Sequence, residues 1–328
     1  MKIIDTTADI EKVKPGCVLT IGNFDGVHIG HQEILTATKK IAAQRKAELT
    51  VVTFEPHPVA ILHPERAPGV LTPLGLKEHL LAKYSIDRLI VLKDSAELLN
   101  LSPADFVDRF LAGTIKPEVV VEGESFNFGC GRTGTVHTLY NLGRQKGFEV
   151  VIIETKEVKL SIGQSVKVSS TMIRNLLESG KAADAAIALT RPYRLIGRVV
   201  PGRGKGKHLG FPTANLAPAR QIIPAEGVYA GFTGIGNTEE QVCSSEEKIP
   251  AAFSIGRSST CSSDNHLLIE AHLLINNVGD LSGNWMAMDF IERMREQIKF
   301  ETESQLAEQI TKDCQKAQQI LRNVVMNP

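Results

Sequence analysis

The sequence has few cysteines, no excess of either charge and no long hydrophobic run. Its five cysteines are scattered along 328 residues and form no Cys-x-x-Cys pair, which argues against a disulfide framework and a cysteine zinc site. Lys and Arg number 37, as do Asp and Glu, so the net charge gives no reason to expect nucleic acid or an anionic membrane as partner. No run of about 18 apolar residues is present, so no membrane span is expected.

The first residues also lack the features of a secretory signal. The stretch MKIIDTTADIEKVKPG carries acidic residues where a signal peptide needs an apolar core, so we expect a cytoplasmic protein. A length of 328 residues is too great for one typical core and predicts two domains.

The N-terminal half alternates strand-like and helical segments. CVLTIGNF, LTVVTFEP and PEVVVEG are rich in β-formers, whereas HQEILTATKKIAAQRKA and LGLKEHLLAKYS have helical composition. Continuous Val and Ile runs are typical of strands that are buried on both faces of a sheet. The pattern predicts an α/β domain in which helices flank a parallel sheet.

The C-terminal half follows a different pattern, and we place the boundary near residue 188. YRLIGRVV, GVYAGFTGI, IPAAFSI and LLIEAHLLI are short strand-like runs separated by Gly and Pro, which favours a small antiparallel barrel or sandwich. The last segment, TESQLAEQITKDCQKAQQILRNVV, has apolar residues at helical spacing and predicts a closing helix.

The segment GNFDGVHIGHQ holds Asn23, Asp25, His28 and His31 in one tight turn between the first strand and the first helix. Ligands of open α/β sheets bind beyond the carboxyl ends of the strands, and a helix N-terminus attracts anions. Two imidazoles there favour binding of a phosphate chain and stabilisation of the charge that builds up during its transfer. A zinc site, which needs further ligands, and a plain polar helix cap are the alternatives.

Two glycine-rich motifs are misleading. GCGRTG, residues 129–134, matches the dinucleotide fingerprint, but ESFNF separates it from the preceding strand. GRGKGKH, residues 202–208, does not have the spacing of a P-loop. GCGRTG therefore does not predict a dinucleotide site, and GRGKGKH does not predict a P-loop.

Blocks along nearly the whole chain resemble one known family. GNFDGVHIGHQ closely resembles the nucleotide-binding turn of bacterial bifunctional riboflavin kinase/FAD synthetases, also called FMN adenylyltransferases. TFEPHP, GESFNFGCGRTG and VSSTMIR are similar to the blocks that follow in that family. GRGKGKHLGFPTANL resembles its riboflavin kinase signature, and EGVYAG, IEAHLL and FIERMREQIKF resemble the remainder of that module.

The resemblance implies a nucleotidyltransferase-type domain, doubly wound around a parallel sheet, over residues 1–187. A riboflavin kinase-like β-barrel with a C-terminal helix would follow over residues 188–328. ATP would phosphorylate riboflavin to FMN and then adenylylate FMN to FAD, releasing pyrophosphate. These small molecules are the expected partners of a monomer or weak homo-oligomer. A monofunctional FMN adenylyltransferase with a degenerate kinase module, and a flavin sensor without turnover, are the alternatives.

The resemblance also implies site residues in the first half. His28, His31 and Arg174 would stabilise the phosphate charge. FMN carries an ionised phosphate, so its attack on ATP needs no general base. The expected nucleotide-binding residues of this half are Gly22, Asn23, Phe24, Asp25, Gly30, Ser169, Ser170 and Thr171. The expected flavin-binding residues of the chain are Phe54, His57, Pro58, Ser125, Phe126, Phe128 and Arg295.

In the second half, the ribityl alcohol of riboflavin must lose a proton, and Glu270 is the expected general base. Thr213 and Asn215 fall on one face of an extended segment and offer the neutral oxygens that Mg²⁺ accepts. A cationic glycine-rich flap would bind the ATP phosphates. Its residues are Gly202, Arg203, Gly204, Lys205, Gly206, Lys207 and Gly210.

Several residues depart from the family pattern at positions that border substrate. Asn is replaced by Ser254, and Ser282 stands where Tyr is frequent. The remaining departures are Ser125, Ser259, Cys261 and Gln297. Contacts that are made equally to the substrate and to the transition state change KM more than kcat when they are lost. We therefore expect an active kinase with weak affinity for riboflavin.

Overall fold

The computed structural model describes the chain apart from a few short segments. The described residues are 1–5, 10, 13–93, 95–161, 163–202, 205–217, 221–257, 266–276 and 278–326. They form two compact units. The first unit comprises Met1–Pro68, Lys77–Glu157 and Val166–Ser169, and the second comprises Gly69–Leu76, Val158–Ser165 and Ser170–Pro328.

A parallel sheet of six strands forms the core of the first unit. The strands of this sheet are β1 (Lys2–Ile4), β2 (Val18–Ile21), β3 (Leu49–Phe54), β4 (Arg88–Leu92), β5 (Val119–Gly123) and β8 (Glu149–Ile153), in the spatial order β1-β4-β3-β2-β5-β8. Between β5 and β8 in the chain, β6 (Asn127–Phe128) and β7 (Gly134–Thr135) pair with each other as a separate short hairpin. Two further short strands, β9 (Glu157–Lys159) and β10 (Ser165–Lys167), follow in the chain.

Helices follow the strands in the alternation that the sequence predicts. They are α1 (Ile29–Arg45), α2 (Pro58–Leu62), α3 (Leu74–Ala82), α4 (Ala96–Leu99), α5 (Pro103–Asp105) and α6 (Val136–Lys146), with 3₁₀ turns at Pro64–Arg66 and Cys130–Arg132. The Ser102 hydroxyl accepts a hydrogen bond from the Asp105 amide at 3.1 Å and thereby caps α5. After α5 the chain continues as a π-helix over Phe106–Ile115, a wider turn that the apolar spacing did not indicate.

The order of the strands reverses between β2 and β5. The chain leaves β2 for β3 and β4 on one side of the sheet and later returns to β5 and β8 on the other. Only Val18 and Leu19 of β2 pair with β5, so the two strands separate toward their carboxyl ends. An open α/β sheet binds ligands at such a switch point, and the doubly wound prediction is confirmed.

A closed antiparallel barrel forms the core of the second unit. Its strands are β11 (Tyr193–Val200), β12 (Ala214–Leu216), β13 (Gly227–Gly236), β14 (Ile249–Arg257), β15 (Leu267–Leu273) and β16 (Trp285–Arg295), in the order β11-β12-β15-β14-β13-β16. The barrel alternative is therefore confirmed. Strand β16, which pairs with both β11 and β13, was absent from the strands that alternation predicted.

Five helices accompany the barrel. They are α7 (Ser170–Glu178), α8 (Ala182–Leu189), α9 (Lys205–His208), α10 (Glu239–Ser244) and α11 (Glu303–Met326). Ala317 and Leu321 of α11 pack on Val228, Ala230 and Ala252 of the barrel strands, which confirms the closing helix. The predicted boundary at residue 188 falls inside α8, whereas the second compact unit takes up the chain again at Ser170. Within the described residues, no helix has the length and apolar character to cross a membrane.

Candidate active sites

A strained turn follows β2 in the first unit. Phe24 and Val27 have positive φ angles of 48° and 39°, and both side chains are buried. Non-glycine residues seldom adopt this conformation, which costs on the order of 1–3 kcal/mol and persists where the surrounding structure imposes it. Such strain is concentrated at functional sites, in agreement with the predicted role of this turn.

His28 and His31 stack on each other at the start of α1. Their ring centroids are 3.7 Å apart with planes 18° from parallel. The His28 Nδ1 atom accepts a hydrogen bond from the His31 amide at 3.4 Å, so His28 also performs the capping role that was the structural alternative. Burial and the charges of His28 and Lys77 lower the pKa of His31 well below its usual range. His31 is therefore neutral at neutral pH, and its buried Nδ1 atom has no hydrogen-bond partner within the described residues.

The block TFEPHP braces this turn. The Asn23 amide nitrogen lies 3.0 Å from Nε2 of His57, and the Thr53 hydroxyl donates to the Asn23 carbonyl at 3.1 Å. His57 Nδ1 also accepts from the Val59 amide at 3.2 Å and thereby caps α2, whose first residue is Pro58. The structure thus brings His57 to Asn23, whereas Phe54 belongs to the hydrophobic core.

The other predicted residues of the first half are more dispersed. Phe126 and Phe128 stack with centroids 5.7 Å apart, and Phe128 is buried in the hydrophobic cluster. Ser125 is exposed, and its backbone carbonyl accepts a hydrogen bond from the side-chain Nδ2 of Asn127 at 2.7 Å. Gly30 lies in the first turn of α1, where a Cβ atom would come within 3.3 Å of the His28 ring.

The segment VSSTMIR contributes to both units. Ser169 ends the first unit, whereas Ser170, Thr171 and Arg174 lie in α7 of the second. Arg174 is 9% exposed, and its Nε atom donates to the Gly69 carbonyl at 2.7 Å. This contact within the second unit fixes the guanidinium.

Two charged residues near the turn were missed. Lys77 of α3 is 4% exposed, and its Nζ atom lies 3.8 Å from Oε2 of Glu55. Burial lowers the pKa of Lys77, while the charges of Glu55 and Asp25 oppose that shift. Glu122 of β5 is 2% exposed, and its carboxyl accepts from the Ile21 amide at 2.7 Å. The available signal was one charge in the apolar run VVVEG for Glu122, and a short Lys-Glu-His stretch between leucines in LGLKEHLL for Lys77.

The alternative prediction for the turn is a zinc site, which would need ligands in addition to His28 and His31. In the part of the chain that the structure describes, no three His, Cys, Asp or Glu side chains are grouped as a metal site.

Glu270 lies in a cross-strand row on the barrel. It pairs with Asn215 of β12 on one side and with Ser254 of β14 on the other. Directly paired residues project on the same face, with Cβ atoms about 4.5–5.5 Å apart. The half-buried Glu270 carboxylate therefore shares one face with the Asn215 amide.

The flap approaches the predicted metal ligands closely. A Cβ atom on Gly202 would overlap the Asn215 amide, and one on Gly206 would lie 3.2 Å from the Thr213 hydroxyl. Only glycine permits this approach. Two neutral oxygens in such a cradle fit a partly hydrated Mg²⁺ that also binds phosphate oxygens.

Several flap predictions reach beyond what the structure describes. Lys205 and Lys207 belong to the short helix α9, and Gly210 follows it with a φ of 85°. Arg203 and Gly204 lie outside the described residues, as do Ser259 and Cys261.

The departures at the end of the barrel are connected to each other. Gln297 Nε2 donates to the Ser254 hydroxyl at 3.0 Å and to the Ile255 carbonyl at 2.9 Å. The Arg295 guanidinium forms a two-point ion pair with Asp313 of α11 at 2.7–3.1 Å. This predicted flavin contact is thus already bound to the closing helix.

Comparisons with known proteins cover both units. The sequence model described as FAD synthetase matches residues 10–172, and the one described as riboflavin kinase matches residues 189–321. A curated protein of Pseudomonas fluorescens named bifunctional riboflavin kinase/FMN adenylyltransferase is 34% identical over 300 residues, which cover 92% of this chain and 91% of that protein. A protein of the same name from Escherichia coli K12 is 31% identical, with 95% of this chain and 96% of that protein covered.

A solved structure has the same fold along nearly its full length. It is a crystal structure of a Streptococcus pneumoniae protein described as a macrolide-efflux protein. The TM-score is 0.81 at 26% identity, and the match covers 97% of this chain and 99% of that chain.

Proposed function

The chain belongs to the family of bifunctional riboflavin kinase/FMN adenylyltransferases, and from this premise we propose how its residues divide the two reactions. The enzyme phosphorylates riboflavin with ATP to FMN, and it adenylylates FMN with ATP to FAD and pyrophosphate. The matches to both domains favour this reading over the monofunctional alternative. The observation that carries the division is the presence of two separate polar sites, the histidine pair of the first unit and the Glu270 row of the second.

Adenylyl transfer depends on positioning and on charge stabilisation. The FMN phosphate is ionised near neutral pH and attacks the α-phosphorus of ATP directly, so no side chain has to remove a proton. His28, His31 and the free amides at the start of α1 would donate hydrogen bonds to the phosphate chain.

Lys77 would provide the fixed charge that a neutral His31 cannot. Its ammonium is buried, and its charge interacts with Glu55, Asp25 and His31. A buried cation acts strongly on phosphate charge because little water screens it. Lys77 thus contributes to the positive potential of the turn, and its charge adds to burial, which is the main cause of the lowered pKa of His31.

Replacing Lys77 with methionine should lower the rate of FAD formation from FMN by about tenfold or more, since the chain length stays and the charge is lost. The pKa of His31 should rise because the positive charge that lowers it is gone, so the acid limb of the pH–rate profile should move to higher pH. The measurement is the pH dependence of FAD formation at saturating ATP. Lys83→Met, which changes an exposed lysine just after α3, is the matched control. An unmoved acid limb together with a normal rate in Lys77→Met would contradict this role.

Riboflavin phosphorylation needs a base and a metal. Glu270 would take the proton of the ribityl alcohol as that oxygen attacks the γ-phosphate. Thr213 and Asn215 would hold Mg²⁺, which when bound neutralises phosphate charge. Gly202 and Gly206 would let the flap backbone close over this pair, in keeping with the space that a Cβ atom would fill.

Weak riboflavin binding is expected to be repairable. Changing Ser254→Asn and Ser282→Tyr should lower the KM for riboflavin about fivefold per regained contact and leave kcat unchanged.

The effects of substitutions at Ser254 and Gln297 on the KM for riboflavin should be non-additive, because Gln297 donates a hydrogen bond to Ser254. Steady-state kinetics of a Ser254→Asn and Gln297→Glu cycle measure this coupling. An unchanged KM for riboflavin in the Ser254→Asn and Ser282→Tyr variant would show that these two substitutions are neutral. Strict additivity in the cycle would show that Ser254 and Gln297 act independently.

A further inference from the structure

A side chain replaces a backbone hydrogen bond at the point where the parallel sheet opens. Val18 and Leu19 pair with Val119 and Val120, and the ladder between β2 and β5 then ends. Beyond that point the Ile21 amide donates to the carboxyl group of Glu122 at 2.7 Å. A buried amide without an acceptor is costly, so this contact stabilises the separated ends of the strands.

The surroundings of Glu122 are apolar. Side chains of a strand alternate between faces, so Glu122 shares its face with Val120, a member of the cluster that contains Leu19, Ile21 and Phe128. On the other side it pairs with Ile152 of β8. The next residue, Gly123, lies instead against Ile34 of α1.

Charged groups on the surrounding elements do not neutralise this carboxyl. They are Asp108 and Arg109 on the π-helix, His137, Arg144 and Lys146 on α6, and Glu149 at the start of β8, all of them exposed. Burial raises the pKa of Glu122 well above its usual range, and the hydrogen bond from the Ile21 amide opposes the shift. Glu122 is thus an acid buried in a hydrophobic cluster, where burial favours its uncharged form.

The position of the contact explains why an acid is retained there. Ile21 is followed directly by Gly22 and Asn23, the first residues of the nucleotide-binding turn. We propose that Glu122 is a positioning residue for adenylyl transfer: its carboxyl group holds the Ile21 amide and so fixes where this turn begins. The inference rests on the proposed function of the turn. Glu122 acts through the backbone and touches no substrate.

The test compares two substitutions of Glu122 in the full-length enzyme with FMN supplied. Glu122→Val removes the acceptor and should raise the KM for ATP in FAD formation about tenfold, while riboflavin phosphorylation stays normal. Glu122→Gln keeps an acceptor oxygen and should restore the KM for ATP to near the wild-type value. Val150→Ala, in the same cluster, controls for general loss of packing and should lower thermal stability without changing the KM.

A second measurement distinguishes an acid from a mere spacer. When folding raises the pKa of a carboxyl group, the folded protein becomes less stable as the pH rises from the ordinary pKa of that group toward the raised pKa. Glutamine does not titrate and has no such effect. The stability of Glu122→Gln relative to wild type should therefore increase as the pH rises above the ordinary pKa of glutamic acid. A wild-type KM for ATP in a folded Glu122→Val enzyme, or a KM in Glu122→Gln as high as in Glu122→Val, would overturn the inference. Absence of FAD formation by the wild type would instead overturn the function of the turn.

Discussion

FAD formation from FMN should fall by about 10²- to 10³-fold when His31 is replaced by alanine, while riboflavin phosphorylation continues. His31 is neutral and has a buried ring nitrogen without a partner in the described residues, as expected of a group that completes its hydrogen bonds on substrate. Its loss would remove the donor that we propose for the charge that develops during transfer. Replacing His28 and His31 together should lower the rate further. The measurement is the rate of each half-reaction, assayed separately.

The controls separate chemistry from folding. His28 also caps α1, so His28→Asn, which retains a capping side chain, should be more stable than His28→Ala although both lose the imidazole. His137→Ala changes an exposed histidine on α6 and should leave both rates unchanged. Equal loss of both activities in a folded His31→Ala enzyme would defeat the division into two sites.

Riboflavin phosphorylation should fall about 10²-fold or more in Glu270→Gln, with FAD formation from supplied FMN unchanged. The amide nearly preserves the shape of the side chain beside Asn215 and Ser254 but cannot accept the ribityl proton. The loss should appear in kcat rather than in the KM for riboflavin, because proton removal belongs to the transition state.

A second glutamate on the barrel supplies the comparison. Glu292→Gln on β16 removes the same charge from an exposed position outside the row and should leave both rates unchanged. If Glu270→Gln phosphorylates riboflavin at the wild-type rate, the base is another group or solvent.

The sheet and most barrel strands were predictable because their patterns are local. Val/Ile runs mark the buried strands, and Gly and Pro mark the turns. Strand β16, WMAMDFIERMR, was missed because it combines Met and charged residues, and its place is set by pairing with both β11 and β13. The π-helix at Phe106–Ile115 has the apolar spacing of an ordinary helix, so sequence alone did not reveal its wider turn.

The candidate sites were predicted only in part. Motif resemblance identified His28, His31 and Glu270, but their surroundings depend on contacts far apart in the sequence. Lys77 of α3 lies near Glu55, which follows β3, and Glu122 reaches Ile21 across 101 residues. A charged residue in an apolar run usually escapes burial, so the charges in VVVEG and LGLKEHLL did not by themselves indicate a buried site residue.

The most direct test mixes two defective enzymes. His31→Ala should convert riboflavin to FMN and stop there, whereas Glu270→Gln should leave riboflavin unconverted. An equimolar mixture supplied with riboflavin, ATP and Mg²⁺ should make FAD, because FMN released by the first variant is adenylylated by the second. Chromatographic separation of riboflavin, FMN and FAD over time gives the answer in one experiment. Accumulation of FAD in the mixture alone is the predicted result; FAD from either variant by itself, or none from the mixture, would contradict the assignment of one reaction to each site.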